Sequence, residues 1–143
     1  MFYGDTVQDT RKVFFTSWLK YRQKLPLEPL EEQLVHVILD HPEYHAMLEI
    51  DPSQADRTFF PELGQTNPFL HMGLHLALRE QIATNRPVGI AALYQNLVTQ
   101  YADSLHVEHL MIDHLAECLW QAQHAQTMPN ETAYLAALTG LLN

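Results

Sequence analysis

The sequence contains little glycine. Its five glycines stand too far apart to build a phosphate-binding loop. The Gly-x-Ser-x-Gly turn that carries the nucleophile of many hydrolases is missing for the same reason. Nucleotide binding by a glycine-rich loop and serine-dependent acyl transfer therefore lack their usual sequence signatures.

Cysteine is almost absent, because Cys118 is the single one among 143 residues. One thiol cannot form a disulfide within the chain and cannot supply a cysteine-based zinc site. We expect Cys118 on the apolar side of its helix, where a buried thiol is inert. No oxidising compartment is required, so the expected location is the cytoplasm.

Basic residues are also few, with eight Lys and Arg against 17 Asp and Glu and a formal net charge of -9. This charge opposes binding to phosphate backbones and anionic lipids, so neither nucleic acid nor a membrane is an expected partner. No run approaches the roughly 20 apolar residues that a membrane-spanning helix requires. The N-terminal residues lack the apolar core and cleavage site of a signal peptide, and we expect a soluble protein.

The chain is rich in apolar residues, and many of them recur at helical spacing. Hydrophobic residues make up 47% of the chain, enough for one compact domain that buries roughly 70% of its unfolded surface. No segment alternates convincingly with period two, whereas several stretches repeat apolar residues at helical spacing. The sequence therefore predicts an all-α single domain over residues 1–143, a bundle of four main helices with one or two short accessory helices.

The first predicted helix spans residues 5–24, and Asp5 or Thr6 can cap its start. It carries five of the eight basic residues of the chain. These side chains could dock an acidic protein partner, or they could complement the acidic remainder of the same chain. The five are Arg11, Lys12, Lys20, Arg22 and Lys24.

Proline and capping residues delimit the later helices. Asn67 and Pro68 are a cap followed by a first helical residue, and Pro87 suggests a similar start for the next helix. Asp103 or Ser104 and then Asn130 are caps for the last two helices. The predicted helices cover about residues 30–41, 69–84, 88–101, 104–126 and 130–140, with a short helical turn over 41–49.

Residues 50–66 show neither helical nor strand periodicity. A long loop in a compact domain often acts as a lid or a binding segment. We expect this segment, with Phe59 and Phe60, to fold over or beside the histidines described next. A packed surface loop is the alternative interpretation, and the sequence does not separate the two.

Histidine is abundant, with nine residues in the chain, and it is the commonest metal ligand. In the helix over 104–126, His and carboxylate side chains fall within an arc of roughly 80°. No Lys or Arg occurs from 102 to 126, which is unusual for a face that is merely polar. The candidate metal ligands on this stripe are His106, His109, Asp113 and Glu117.

The helix over 69–84 carries His71 and His75 four residues apart, a spacing at which two imidazoles can reach one metal ion. Leu78 and Ile82 continue the same face, which indicates that it points inward. Buried imidazoles are costly unless they are paired. Taken alone, such a pair is more often a satisfied core pair, but opposite a second helix rich in histidine it favours a metal ion.

His41 and His45 form a third pair, separated by Pro42, which makes its geometry uncertain. His41 could complete the metal site, donate a hydrogen bond that orients a ligand, or cap the preceding helix. We expect His45 to take part less than His41.

Two longer motifs in the chain resemble a known family. They are Asn-Pro-Phe-Leu-His-Met-x-x-His (67–75) followed by Arg-Glu-Gln (79–81), and His-x-Glu-His-x-Met (106–111) followed by Glu117 and by Trp-Gln-Ala-Gln (120–123). They resemble the bacterial domain of unknown function family 1841 over nearly the whole chain. The resemblance implies a bacterial origin and one domain, but no reaction. It supports the grouping of His71, His75, His106, His109 and Glu117.

The leading hypothesis is one or two divalent transition-metal ions bound between the helices that begin near 69 and 104. Ligands without thiolate suit Fe, Zn or Mn, and such a site could serve hydrolysis or, with iron, oxygen chemistry. The alternative is a non-enzymatic protein-interaction module with a polar His and acid seam. The candidate ligands are His71, His75, His106, His109, Asp113, Glu117 and His41.

Overall fold

The computed structural model describes residues 7–50 and 67–143, and it describes side chains from residue 11 onward. Every regular element in these residues is a helix or a helical turn, so the predicted all-α class is confirmed. Asp5, Thr6 and the segment with Phe59 and Phe60 lie outside the described residues, and the expectations placed on them stay predictions. The elements are α1 (Val7–Arg22), α2 (Pro29–Leu39), a 3-10 turn (Pro42–Tyr44), α3 (His45–Leu48), α4 (Pro68–Thr84), α5 (Ile90–Tyr101), α6 (Ser104–Ala125) and α7 (Glu131–Thr139).

None of the described helices combines the length and the apolar character that crossing a membrane would take.

The chain divides into two compact units, Met1–Gly73 and Leu74–Asn143. The border between them falls inside α4, which is one uninterrupted helix from Pro68 to Thr84. A single domain over residues 1–143 therefore stays a prediction, and each unit is described here by itself.

In the first unit, α1 packs along α2. Phe14, Phe15 and Trp18 of α1 are buried at the three- and four-residue spacings that place them on one helix face. Phe69, near the start of α4, adds its ring to this core at 5.6 Å from Phe14 and 5.8 Å from Phe15. The buried residues that α2 and α3 supply are Leu34, Val35, Val37, Ile38 and Leu48.

Basic residues of α1 contact groups of their own unit. Lys20 pairs with Glu31 at 3.0 Å, and the Arg11 guanidinium lies over the Phe69 ring at 5.1 Å. Arg22 approaches Glu49 at 3.9 Å. These contacts agree with the interpretation that the basic face complements the acidic chain, while a protein partner stays a prediction.

Glu31 makes this first unit sensitive to acid. The backbone N–H of Glu28 and the Lys20 ammonium lower the pKa of Glu31 below its ordinary 4.5. A lowered pKa in the folded state stabilises the protein above about pH 4.5, and that stabilisation is lost as the pH falls through the lowered value. Glu31→Gln keeps the capping geometry but removes the charge that pairs with Lys20. We therefore expect it to lower the free energy of unfolding by up to about 1 kcal/mol at pH 7 and to leave it unchanged at pH 2. Urea unfolding at both pH values measures this, and a cost that persists at pH 2 would contradict it. Glu32→Gln is the control.

In the second unit, the core is formed by α5, α6, α7 and the second half of α4. Tyr134 is buried there, its hydroxyl donates to Gln81 at 2.8 Å, and its burial raises the pKa of Tyr134 well above the ordinary value. The buried members of this core are Leu78, Ile90, Leu97, Val107, Met111, Ile112, Leu115, Tyr134 and Leu138.

The start of α5 differs from the prediction, because the helix begins at Ile90 and not at Val88. Gly89 adopts a φ of 103°, a conformation that favours glycine, and the Asn85 side chain accepts from the backbone N–H groups of Gly89 and Ala91 at 3.1 Å. The cap is therefore a side chain five residues upstream, and Pro87 is not the first helical residue.

Asp103, one of the two predicted caps, is the cap of α6, because its side chain accepts from the backbone N–H of His106 at 3.1 Å. Replacing such a cap leaves a helix donor without its partner. We expect Asp103→Ala to lower the free energy of unfolding by about 1 kcal/mol, whereas Asp103→Asn keeps an oxygen acceptor and costs less. Urea unfolding of both variants measures the difference, and equal losses would contradict it.

Candidate metal centre

The centre of the candidate site is α4, which begins where the sequence predicted. Asn67 Oδ1 accepts from the backbone N–H groups of Phe69 and Leu70 at 2.9 and 3.3 Å, and Pro68 is the first helical residue. Because α4 is continuous, His71 and His75 lie one turn apart along the same side of the helix. Each of them contacts a second histidine in its own unit.

In the first unit, His71 lies against His41. The ring centroids are 5.0 Å apart and the rings meet nearly at right angles. His41 is buried, and its Nδ1 lies 2.8 Å from the carbonyl oxygen of Val37. Since a carbonyl oxygen can only accept, Nδ1 of His41 carries the proton, and in the neutral ring Nε2 carries the lone pair. His41 therefore caps the end of α2 while its ring contacts His71.

Tyr44 packs against the ring of His41. The two rings are stacked, with centroids 5.6 Å apart and planes 7° from parallel. Burial, and secondarily the charge of Glu43, raise the pKa of Tyr44, so its phenol stays protonated at neutral pH. Tyr44 thus contributes an apolar face and a neutral hydroxyl to this part of the first unit.

His45 takes a different role from His41. Its Nε2 donates to the carbonyl oxygen of Ile38 at 2.7 Å, and its ring packs on Trp18 at 4.5 Å. These contacts fasten α3 to the end of α2, and they do not place His45 beside His71.

In the second unit, His75 lies against His109. Their ring centroids are 4.8 Å apart and the planes meet at 79°. His75 is fully buried, and its Nδ1 lies 2.7 Å from Glu108 Oε1. Arg79 Nε donates to both oxygens of Glu108, at 3.1 and 3.2 Å. Nδ1 of His75 therefore faces a carboxylate that a guanidinium already holds in place.

His41, His71, His75 and His109 together make a group that could hold a metal ion. Each is a residue whose ring nitrogen can serve as one ligand. Two of the four come from neighbouring turns of α4, and each of these belongs to one of the two contacts described above.

The remaining predicted ligands lie on the exposed side of α6. His106 is exposed, and its ring contacts Tyr101 at 5.5 Å. Glu117 accepts from Gln121 at 2.7 Å, and Asp113 and Glu117 line a shallow surface depression. The structure does not bring His106, Asp113 or Glu117 into the histidine group, so their role as ligands stays a prediction.

Glu108 and Arg79 were not predicted as site residues. Adjacent residues of a helix project about 100° apart, so Glu108 is not placed to bind the same ion as His109. That geometry still lets Glu108 reach His75 from α6. One signal was available, because Arg79 follows His75 by four residues and thus occupies the same inward face of α4.

Comparison with protein families gives a match over nearly the whole chain. The family model described as "Domain of unknown function (DUF1841)" matches residues 6–140. Comparisons with curated proteins and with solved structures each gave no match. The match covers both histidine motifs of α4 and α6, and the chain therefore belongs to the DUF1841 family.

Proposed function

We propose that the protein binds one divalent transition-metal ion through His41, His71, His75 and His109. The observation that carries this proposal is the pair of imidazole contacts at 5.0 and 4.8 Å, each of which joins one buried and one half-buried histidine and includes one histidine from consecutive turns of α4. Imidazole nitrogen is a ligand of choice for such ions.

The hydrogen bonds of the group favour a metal over ordinary core histidines. A neutral imidazole has one donor nitrogen and one acceptor nitrogen. His41 and His75 turn Nδ1 toward Val37 and Glu108, so in the neutral rings Nε2 is the nitrogen that carries the lone pair. A cation is a partner that can accept lone pairs from several imidazoles at once, and metal-bound histidines usually donate their second N–H in this way.

The ligand type of the four histidines limits which metals are expected. Four imidazoles without thiolate or carboxylate suit Zn, Fe, Cu or Ni, whereas Mn prefers oxygen ligands. Among the metals expected from the sequence, Zn and Fe fit better than Mn. Four ligands fill one tetrahedral zinc sphere, which favours one ion over two.

The number of protein ligands also affects whether the ion could be catalytic. A zinc ion with four protein ligands has no open position, as in structural sites, whereas catalytic zinc keeps one position for water. Iron takes more ligands and would leave room for a small molecule. Metal-dependent hydrolysis and oxygen chemistry therefore stay predictions, and the proposal is metal binding.

Equilibrium dialysis of untagged protein against Zn²⁺ tests the proposal with a matched pair of variants. We expect about one Zn²⁺ per chain for the wild type. His109→Ala removes one of four ligands and should weaken binding by roughly 100- to 1,000-fold, because a quarter of the roughly 10–16 kcal/mol typical of structural zinc is about 2.5–4 kcal/mol. His124→Ala is the control, because His124 is an exposed histidine of the same helix whose ring lies against Trp120.

Two results would contradict the proposal. One is a wild-type protein that takes up no Zn²⁺, and the other is an equal loss of binding in His109→Ala and His124→Ala. Either would leave the histidines as polar core and surface groups and would favour the protein-interaction alternative.

A further inference from the structure

We infer that Glu108, held in place by Arg79, is a positioning residue of the proposed metal site that sets the tautomer of His75 and directs its Nε2 toward the ion. The inference rests on the proposed function for its metal, but its contacts all lie within the second unit. They join the second half of α4 to the first half of α6.

The first step is the short hydrogen bond between His75 and Glu108. The Nδ1 to Oε1 distance is 2.7 Å, the His75 side chain is 0% exposed and the Glu108 side chain 9% exposed. A charge-assisted hydrogen bond of this length is stronger than a neutral one, and water competes little at this depth. The bond therefore favours, for the neutral imidazole, the Nδ1–H form with the lone pair on Nε2.

The second step is the role of Arg79. A buried carboxylate is costly unless a cation and hydrogen bonds satisfy it. Arg79 Nε reaches both Glu108 oxygens, at 3.1 and 3.2 Å, while its own side chain keeps 27% of its surface exposed. Arg79 therefore anchors the carboxylate from the solvent side and leaves Oε1 in place for His75.

The third step is the spacing along the two helices. His75 and Arg79 stand four residues apart on α4, so both face α6. Glu108 and His109 are adjacent on α6, and both contact His75. Two neighbouring residues of α6 thus act on one histidine, His109 as a fellow ligand and Glu108 as the group that orients it.

Nitrogen NMR of the metal-free protein tests the orienting role without any metal. With ¹⁵N-labelled histidine, the His75 signals are assigned by their loss in His75→Gln. We expect wild-type His75 to carry its proton on Nδ1, and Glu108→Ala to let both tautomers populate. Glu108→Gln keeps an amide oxygen that can accept, so it should retain more of the Nδ1–H form and serves if Glu108→Ala fails to fold.

Zn²⁺ competition titration with a chelator tests the consequence for binding. Loss of a carboxylate that orients a metal-bound histidine typically weakens metal affinity by 10- to 100-fold. We expect a loss in that range for Glu108→Ala and a smaller one for Glu108→Gln. Glu80→Gln is the matched control, because Glu80 is an exposed glutamate of α4 next to Arg79, and it should bind like the wild type.

The outcomes separate this inference from the proposed function. Zn²⁺ binding that depends on His109 but is unchanged in folded Glu108→Ala and Glu108→Gln would overturn the inference alone. An unchanged His75 tautomer in both variants would overturn it as well. A wild-type protein that binds no Zn²⁺ would overturn the proposed function, and the positioning role at a metal would fall with it.

Discussion

Zinc at 100 times its dissociation constant is expected to raise the free energy of unfolding by about 2.7 kcal/mol. The reason is that the native fold brings the four histidine ligands together, whereas they lie apart in the unfolded chain. His41 follows α2, His71 and His75 lie on α4, and His109 lies on α6. Of the four ligands, the unfolded chain keeps only His71 and His75 close together, so it binds the ion more weakly. Metal binding therefore stabilises the native state.

Urea unfolding measures this gain in three conditions: metal-free protein, protein with excess Zn²⁺, and protein with Zn²⁺ followed by a chelator. The chelator should return the unfolding curve to that of the metal-free protein. Mg²⁺ is the matched cation control, because it prefers oxygen ligands and should leave the curve unchanged. Equal stabilisation by Zn²⁺ and Mg²⁺, or the same gain in His109→Ala, would contradict a histidine site.

Leu97→Ala is expected to lower the free energy of unfolding by about 3 kcal/mol, within the range for truncating a leucine in a packed core. Leu97 lies on α5, is 0% exposed and packs within the core of the second unit. Removing its branched end forfeits the burial of the side chain and leaves a cavity that the helices around it fill only in part.

Leu119→Ala is the control for this change. Leu119 lies on α6 and is 42% exposed, so the same truncation should change stability by less than about 0.5 kcal/mol. Urea unfolding of both variants gives the comparison. Similar losses at the two positions would mean that α5 is not packed as described.

Local signals predicted the helices well, because capping is a local interaction. Asn67, Asp103 and Asn130 each accept a backbone N–H from the first turn of the helix that they were expected to start. The start of α5 was wrong because its cap comes from Asn85 through a left-handed Gly89. Helical periodicity carries no information on such a loop.

The candidate site was predicted only in part, because helical spacing is also a local signal. Helical spacing was enough to place His71 and His75 on one inward face and His109 on the His and carboxylate side of α6. Spacing does not tell where along α6 that side meets another helix, so His106, Asp113 and Glu117 looked equivalent to His109 although they are exposed. Their role as ligands stays a prediction.

The role of Glu108 could not be predicted from either helix alone. Its partner His75 stands 33 residues away in the sequence, so the bond depends on how α4 and α6 pack. His41 was left open because of Pro42, and the structure shows it after the end of α2, with its Nδ1 bonded to Val37. Tertiary contacts of this kind become visible only when the fold is known.

X-ray absorption of the Zn²⁺-loaded protein tests the four-histidine site most directly, because it reports the atoms bound to the ion. The account predicts a shell of four nitrogens at about 2.0–2.1 Å with the scattering pattern of imidazole rings. It also predicts no sulfur at about 2.3 Å, the distance expected if Cys118 were a ligand. A sulfur shell, or a mainly oxygen shell with fewer than two imidazoles, would contradict the account.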